Sequence, residues 1–256
     1  MTVPATFHDL QDASVFITGG GSGIGAALTC GFLAQGAKVA FIDIADCTEF
    51  VTKAADQTGR TPLFIQGDIT DIAALRGAID TAAEAHGPVT VLVNNAANDM
   101  RCDLEDVTEE FWRWMIDINL KAYYFAAQAV APGMQAAGGG AIVNFSSVSY
   151  MMGLPELSVY TTANGGITAM TRSLARALGP NKIRVNAIAP GWVLTDKQLD
   201  KWATPEGLQG HMDQQALKEH MVPDDMVAPV LFLASQASRM MTGQCMVVDG
   251  GVATTG

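Results

Sequence analysis

Short apolar runs rich in β-branched residues recur along this chain of 256 residues, and longer helix-like stretches separate them. Strands that are apolar on both faces need cover on both faces, so runs spaced by helices are typical of a parallel sheet between two helical layers. We therefore predict one α/β domain over residues 1–256 with a doubly wound, seven-stranded parallel sheet. The predicted strands lie at residues 14–18, 38–43, 63–65, 89–93, 141–145, 184–188 and 245–248.

The helix-like stretches end where glycine permits a stop. Residues 23–35 and 71–86 are each followed by a glycine, and a long predicted helix over 109–137 runs into three consecutive glycines. Residues 191–222 break the alternation of strands and helices with tryptophan, proline and glycine. An irregular segment of this length in a compact domain is usually functional, so we predict that it forms a substrate-binding lid.

The composition restricts the partners of the chain. A formal net charge of -11 would repel nucleic acid and anionic membranes, and no apolar run approaches the roughly 20 residues of a membrane-spanning helix. Residues 1–9 have neither the basic start nor the apolar stretch of a secretory signal, so a cytoplasmic location is expected. The cysteines and histidines are too dispersed to suggest a metal site. They are Cys30, Cys47, Cys102, Cys245, His8, His86, His211 and His220.

A glycine-rich turn follows the first predicted strand and opens the first predicted helix. Its sequence, Thr18–Gly25, reads TGGGSGIG. Glycines allow a tight turn and a close approach of the backbone to a pyrophosphate, and the helix N-terminus supplies amide donors. We therefore predict that this turn binds a dinucleotide. The predicted contacts are Gly19, Ser22, Gly23, Ile24 and Gly25.

Acidic and small residues follow the next strands. Asp43 ends the second strand, 18 residues after Gly25, near the spacing at which a carboxylate binds the adenosine ribose. A carboxylate there would repel a 2′-phosphate, which favours NAD over NADP. Asp43 could instead cap the next turn, and Asp46 is close enough to compete for the ribose. Asp68 faces adenine or caps the following helix. Asn95 and Ala96, in the turn after the fourth strand, would let the chain pass close to the cofactor.

Motifs along almost the whole chain then resemble those of the classical short-chain dehydrogenase/reductase family, whose members have a Rossmann fold. Two positions depart from the family pattern: Ala97 replaces a common glycine, and Asn164 replaces lysine. The motifs are Thr18–Gly25, Asn94-Asn95-Ala96, Ile118-Asn119-Leu120, Ser146-Ser147, Tyr160, Pro190-Gly191 and Asp249-Gly250-Gly251.

The resemblance implies roles for particular residues. Tyr160 would exchange a proton with the substrate oxygen, Ser147, 13 residues earlier, would position that oxygen, and Asn119 would hold a water of the proton relay. Asn164 stands where the family lysine touches both the tyrosine and the nicotinamide ribose. Further implied cofactor contacts are Ile44, Ile69, Tyr160, Asn164, Pro190, Gly191, Val193 and Thr195.

The missing lysine bears directly on Tyr160. A free tyrosine titrates near about 10, and a neighbouring cation favours the phenolate. Asparagine donates hydrogen bonds but has no charge. Asn164 could be an engineered change, a natural change in a slow or idle protein, or one offset by another cation such as Lys121 or by oxidised nicotinamide. We favour a dehydrogenase whose proton-transfer step is weakened.

Three segments are similar to the bacterial D-xylose (aldose) 1-dehydrogenase branch of the family: residues 94–101, 129–134 and 201–207. This resemblance implies NAD-dependent oxidation of the anomeric hydroxyl of a xylose, arabinose, galactose or fucose type of sugar to its lactone. Polar and aromatic residues after the strands should lie at the carboxyl edge of the sheet, where ligands bind. The candidate sugar contacts are Asn98, Asp99, Arg101, Ser147, Ser149, Tyr150, Tyr160 and Trp192.

Other functions stay open from the sequence. The chain could be another short-chain polyol dehydrogenase, a carbonyl reductase, or a non-catalytic NAD-binding regulator, for which Asn164 would be the natural signature. The family resemblance also implies a homotetramer that packs through the helices at 109–137 and 158–178.

Overall fold

The computed structural model describes residues 5–253, and it confirms the doubly wound parallel sheet. Seven strands lie in the order β3-β2-β1-β4-β5-β6-β7, and every neighbouring pair is parallel. The strands are β1 (Ser14–Thr18), β2 (Lys38–Asp43), β3 (Leu63–Gln66), β4 (Val91–Asn94), β5 (Gly140–Phe145), β6 (Ile183–Pro190) and β7 (Cys245–Val248).

Helices cover both faces of the sheet. One apolar core joins the sheet to α1 and α10, and the other joins it to α3, α5 and α7. The helices are α1 (Gly23–Ala34), α2 (Thr48–Thr58), α3 (Ile72–His86), α4 (Glu109–Ile116), α5 (Ala122–Ala136), α6 (Ser149–Met152), α7 (Ser158–Leu178), α8 (Asp196–Lys201), α9 (Pro205–Gln214) and α10 (Val227–Ala234).

The continuous apolar character of the strands follows from this double cover. In β1 every residue is buried, with Val15 and Ile17 in one core and Phe16 in the other. Successive side chains of a strand point to opposite faces, so both sets must be apolar. Within residues 5–253, no helix combines the length and the apolar character that crossing a bilayer requires. The sequence-based expectation about an N-terminal signal rests partly on residues 1–4, which lie outside the described range.

The long helix predicted over 109–137 is wrong in one detail, because it is divided. A π-helical turn, Asp117–Lys121, separates α4 from α5. Within this turn the Asn119 amide donates to the Met115 carbonyl at 2.9 Å, four residues earlier. A side chain that satisfies a helix carbonyl allows the wider turn, and such bulges are common at functional sites.

The order of the strands locates the functional end of the molecule. From β1 the chain proceeds outward to β2 and β3, and then returns to the other side of β1 to place β4. The loops after β1 and β4 therefore diverge and leave a crevice at the carboxyl edge. Asn95 spans its base, since its side-chain amide donates to the carbonyls of Thr18 and Gly19 at 3.1 and 2.9 Å.

Candidate active site

A cavity of about 770 Å³ occupies the crevice at the carboxyl edge of the sheet. Its walls come from the loops after β1, β2, β3, β4, β5 and β6, together with parts of α7, α8 and α9. This volume lies in the range of small-molecule and cofactor sites. Every residue predicted above to contact the cofactor lines the cavity, with the single exception of Asn164.

The glycine-rich turn forms one end of the cavity. Gly19 has a φ of 67°, and a Cβ atom on it would lie 2.9 Å from the Cα of Ala96. A Cβ on Gly25 would overlap the Gly19 carbonyl oxygen. Ser22 caps α1 without a side-chain hydrogen bond, and within residues 5–253 no side chain bonds to the amides of the first helical turn. The turn therefore presents free amide donors and a favourable dipole to an anionic group.

The structure distinguishes between the two aspartates that could bind the adenosine ribose. Asp43 lines the cavity, and its Oδ2 accepts a hydrogen bond from the Gly21 amide at 3.1 Å. Asp46 does not line it, and its Oδ1 accepts from both the amide and the hydroxyl of Thr48. Hydrogen bonding by the Thr48 hydroxyl lowers the pKa of Asp46. The geometry therefore favours Asp43 over Asp46.

The structure also distinguishes between the two predicted roles of Asp68, an adenine contact and a helix cap. Asp68 lines the cavity beside Ile69, and its Oδ1 accepts from the amide and the hydroxyl of Thr70, both at 2.8 Å. The N-cap of α3 is Asp71, which accepts from Ala73 and Ala74. Asp68 is therefore not the helix cap, and its second carboxylate oxygen makes no hydrogen bond within the described residues. A dinucleotide fits this part of the site.

Tyr160 and Ser147 meet deeper in the cavity. Ser147 follows β5, and Tyr160 lies in the first turn of α7. Burial raises the pKa of Tyr160 to about 12, and the negative charge of Asp99 adds to this shift. Hydrogen bonding by the side chains of Asn164 and Ser147 acts in the opposite direction, but it is the smaller influence. The tyrosine is therefore held mainly in its neutral form.

The prediction that Asn164 contacts the cofactor is not met by the geometry. Asn164 is 2% exposed and lies behind the cavity wall. Its side-chain amide donates to the backbone carbonyl of Tyr160 at 2.9 Å. Asparagine is shorter than lysine, and its amide satisfies a carbonyl of its own helix instead of reaching the cavity.

The side chain of Asn119 faces the protein interior, and its role in holding a water stays a prediction. Its side chain is 1% exposed and does not line the cavity. Its Oδ1 accepts from the Asn98 amide at 2.8 Å, and its Nδ2 donates to the carbonyls of Asn98 and Met115 at 3.0 and 2.9 Å. The side chain therefore holds the loop after β4 against α4, and both of its amide hydrogens are already used.

Lys121, suggested by the sequence as a cation that could replace the missing lysine charge, lies outside the cavity that contains Tyr160. Lys121 pairs with Asp117 at 3.1 Å on the surface and does not line the cavity. Within the described residues, the lysine and arginine side chains that line the cavity are Arg101 and Lys197. Arg101 lies 3.6 Å from Glu156 and 4.7 Å above the ring of Trp202.

Most of the predicted sugar contacts line the cavity, but Tyr150 does not. Its hydroxyl lies 4.0 Å from the sulfur of Cys245 in β7. Ser149 and Tyr150 are consecutive residues of α6, and a helix turns each side chain by about 100° from the last. Ser149 therefore faces the cavity while Tyr150 faces away. The Ser149 hydroxyl is buried and has no hydrogen-bond partner in residues 5–253.

The predicted lid carries residues that sequence reasoning missed. Helices α8 and α9 bring Lys197, Gln198 and His211 to the cavity wall. The Trp192 indole donates to Gln198 Oε1 at 2.9 Å, and the ring of His211 meets the indole edge to face at 5.5 Å. Burial lowers the pKa of His211, so it is neutral at pH 7. The motif pattern contains no signal for these positions, because their placement depends on how the irregular segment folds back.

Within residues 5–253 no three histidine, cysteine or acidic side chains are grouped as a metal site would need. The cavity brings together a tyrosine hydroxyl, a serine hydroxyl and a cleft that fits a dinucleotide.

Comparison with known proteins gives consistent results. Residues 19–253 match the family model described as enoyl-(acyl carrier protein) reductase. The chain is 51% identical over 255 residues to "Probable galactose dehydrogenase GalD" of Rhizobium meliloti strain 1021, covering 98% of this chain and 100% of that protein. It is 46% identical over 249 residues to the D-xylose 1-dehydrogenase of Caulobacter vibrioides, covering 96% and 98%. The short-chain dehydrogenase/reductase structure from Serratia marcescens superposes with a TM-score of 0.89 at 28% identity, covering 96% and 100%.

Proposed function

Because the chain belongs to the short-chain dehydrogenase/reductase family, we propose that it oxidises the anomeric hydroxyl of an aldose to a lactone with NAD as electron acceptor. The observation that carries this proposal is the joint placement of Tyr160 and Ser147 in one cavity with the glycine-rich turn. The similarity to galactose and D-xylose dehydrogenases supports a sugar as the substrate. A sugar of the xylose, arabinose, galactose or fucose type is the proposed substrate class.

Members of the family use a nicotinamide cofactor, and Asp43 supports NAD as the one used here. The Asp43 carboxylate lies on the cavity wall at the end of β2, where a 2′-phosphate would meet its negative charge. The amides at the start of α1 would hold the pyrophosphate. When bound, the nicotinamide supplies the hydride acceptor for the sugar carbon.

The chain's own residues would handle the proton. Tyr160 takes the proton of the anomeric hydroxyl, while the Ser147 hydroxyl donates a hydrogen bond to the same oxygen and fixes its position. The sugar carbon then becomes the carbonyl carbon of the lactone. Trp192 offers an apolar face to the C–H side of the sugar ring, and the lid made by α8 and α9 keeps water from the reacting atoms.

Asn164 makes this proton transfer slow in our proposal. With the pKa of Tyr160 raised to about 12, only a very small fraction of the tyrosine is a base at neutral pH. The fraction of ionised tyrosine changes tenfold for each pH unit below the pKa, so the oxidation rate should rise steadily with pH.

A natural, catalytically idle NAD-binding regulator is the second candidate function. The regulator is favoured by the burial of Asn164 behind the cavity wall.

We further propose a cytoplasmic homotetramer. Large apolar side chains are exposed on α4 and α5, with Trp112 and Tyr124 each 45% exposed and Trp114 38%. Exposed aromatic residues on neighbouring helices are typical of a surface that packs against another subunit. Light scattering should give four times the chain mass of 26.9 kDa, and a monomer would contradict the proposal.

The purified protein should reduce NAD when it is supplied with D-galactose, D-xylose, L-arabinose or L-fucose. NADH absorbance follows the reaction, and lactone formation identifies the oxidised carbon. The Tyr160→Phe variant is the control, and it should lose at least about a hundredfold in rate because it has no acid/base group. Activity confined to polyols, or reduction of simple carbonyls alone, would contradict the aldose proposal.

Asp43→Asn should weaken the preference for NAD over NADP. The substitution keeps the size of the side chain and an acceptor for the Gly21 amide, but it removes the charge that repels a 2′-phosphate. We expect the ratio of kcat/KM for NAD to that for NADP to fall about tenfold, equivalent to about 1.4 kcal/mol. Asp46→Asn is the matched control and should leave the ratio unchanged. Equal effects of the two substitutions would remove the ribose role from Asp43.

Asn164→Lys should increase sugar oxidation at neutral pH by about tenfold or more, because an ammonium group near Tyr160 stabilises the phenolate. Asn164→Met is the control, since methionine is similar in length and uncharged, and it should give no gain. NADH formation and NAD binding are measured for both variants. NAD binding with no turnover in Asn164→Lys would reject the impaired enzyme and favour the regulator.

A further inference from the structure

Asp99, in the loop after β4, is held on both oxygens by the lid helix α8. Its Oδ1 lies 2.8 Å from the ammonium of Lys197, and its Oδ2 accepts from the side-chain amide of Gln198 at 2.6 Å. Both partners are consecutive residues of the lid, close in space to a loop about a hundred residues earlier in the chain. Gln198 also accepts from Trp192, which links the carboxylate to the indole.

Asp99 is charged in this arrangement. Burial favours its neutral form, but hydrogen bonds from Lys197 and Gln198 and the charge of Lys197 outweigh burial and lower the pKa of Asp99. Its negative charge therefore remains inside the cavity at neutral pH, on the wall that it shares with Tyr160. Because a nearby negative charge opposes formation of the phenolate, Asp99 works against the base form of Tyr160.

The other groups around Tyr160 do not offset that charge. Ser147 and Asn164 contribute neutral side chains, and the buried Tyr123 of α5 contributes a neutral hydroxyl, because burial raises the pKa of Tyr123. Arg101 is engaged by Glu156. Lys197 is therefore the cation in direct contact with Asp99, the carboxylate that disfavours ionisation of Tyr160.

We propose that Lys197 is a positioning residue for proton transfer, which acts through Asp99 by balancing a carboxylate that faces the Tyr160 site. The role rests on the proposed function, since it concerns the base of that reaction. Lys197 reaches Asp99 only while α8 lies over the cavity. When the lid closes, Lys197 therefore also balances the negative charge of Asp99 near Tyr160. The tyrosine is then most easily ionised when the sugar is enclosed.

Lys197→Met and Asp99→Asn test the proposal because they change the charge in opposite directions. In Lys197→Met, Gln198 still ties α8 to Asp99, so the variant removes charge and keeps the placement of the lid. The Tyr160 pKa should rise, and kcat/KM at fixed pH should fall about threefold. In Asp99→Asn the Tyr160 pKa should fall, so the pH profile of the rate should begin to rise at lower pH than in the unsubstituted protein. Lys201→Met, at the exposed end of α8, is the control and should change neither quantity.

A second readout needs neither cofactor nor sugar. Tyrosinate absorbance of the protein alone, with the Tyr160→Phe spectrum subtracted, reports ionisation of Tyr160 in alkaline solution. Asp99→Asn should ionise at a lower pH than the unsubstituted protein, because its carboxylate charge is removed, while Lys197→Met is tested by the rate at neutral pH, where the ammonium is charged. Circular dichroism confirms that each variant remains folded over the range used.

The two readouts separate the failure of this inference from the failure of the proposed function. If no aldose is oxidised but Tyr160 of Asp99→Asn ionises at lower pH, the charge relation stands and only the assigned reaction is wrong. If both substitutions shift Tyr160 in the same direction, or neither shifts it, then Lys197 and Asp99 only fasten the lid and the inference is overturned. The same result follows if Lys201→Met matches Lys197→Met.

Discussion

The reversal of strand order at β1 is the constraint on which the rest of the structure depends. With β2 on one side of β1 and β4 on the other, the connections leave the sheet on opposite faces and a crevice opens between them. Backbone must approach backbone closely at its floor, and a Cβ on Gly19 or Gly25 would collide there. Asn95 holds the two loops together, which fixes the floor against which the glycine-rich turn lies. The cavity is thus a consequence of topology.

Much of this could be predicted from the sequence because its signals are local. Continuous apolar runs identify the strands, and a glycine-rich turn between a strand and a helix identifies the phosphate-binding end. The features that escaped prediction depend on contacts between distant residues. The π-helical turn exists because Asn119 bonds to Met115 and to the loop at Asn98. Tyr150 faces Cys245 because of the helical phase of α6, which the motif does not encode. The lid is joined at its ends by one isolated parallel bridge, Val193 with Met221, and no strand fixes the placement of Lys197 and Gln198 between them, so sequence periodicity carries no signal for these two residues.

Asn164 is well accommodated in its surroundings, although it breaks the family pattern. Its backbone carbonyl accepts hydrogen bonds from the hydroxyls of Ser146 and Thr168, both at 3.1 Å. Its side-chain amide donates to the backbone carbonyl of Tyr160 at 2.9 Å. A second buried set of polar contacts lies nearby, where Asn94 donates to Asn144 and Asn144 donates to Thr171. In this second set the Oδ1 atom of Asn94 has no hydrogen-bond partner within the described residues. The bonds from Ser146 and Thr168 reach the backbone carbonyl of Asn164, which a lysine at this position would present as well, so the substitution changes the charge beside Tyr160 and not these contacts.

The state of Tyr160 is then decided by weak opposing influences, since no full charge stabilises its phenolate. Burial and Asp99 favour the neutral hydroxyl, and the hydrogen bonds of Ser147 and Asn164 are too small to reverse them. Beside low-dielectric protein walls, the effect of each nearby charge on the tyrosine is larger than it would be in bulk solvent. A cation that acts only through Asp99 can reduce the opposition to ionisation, but it cannot replace direct contact with the phenolate. Under the proposed function, such a site would bind cofactor and sugar and transfer the proton slowly.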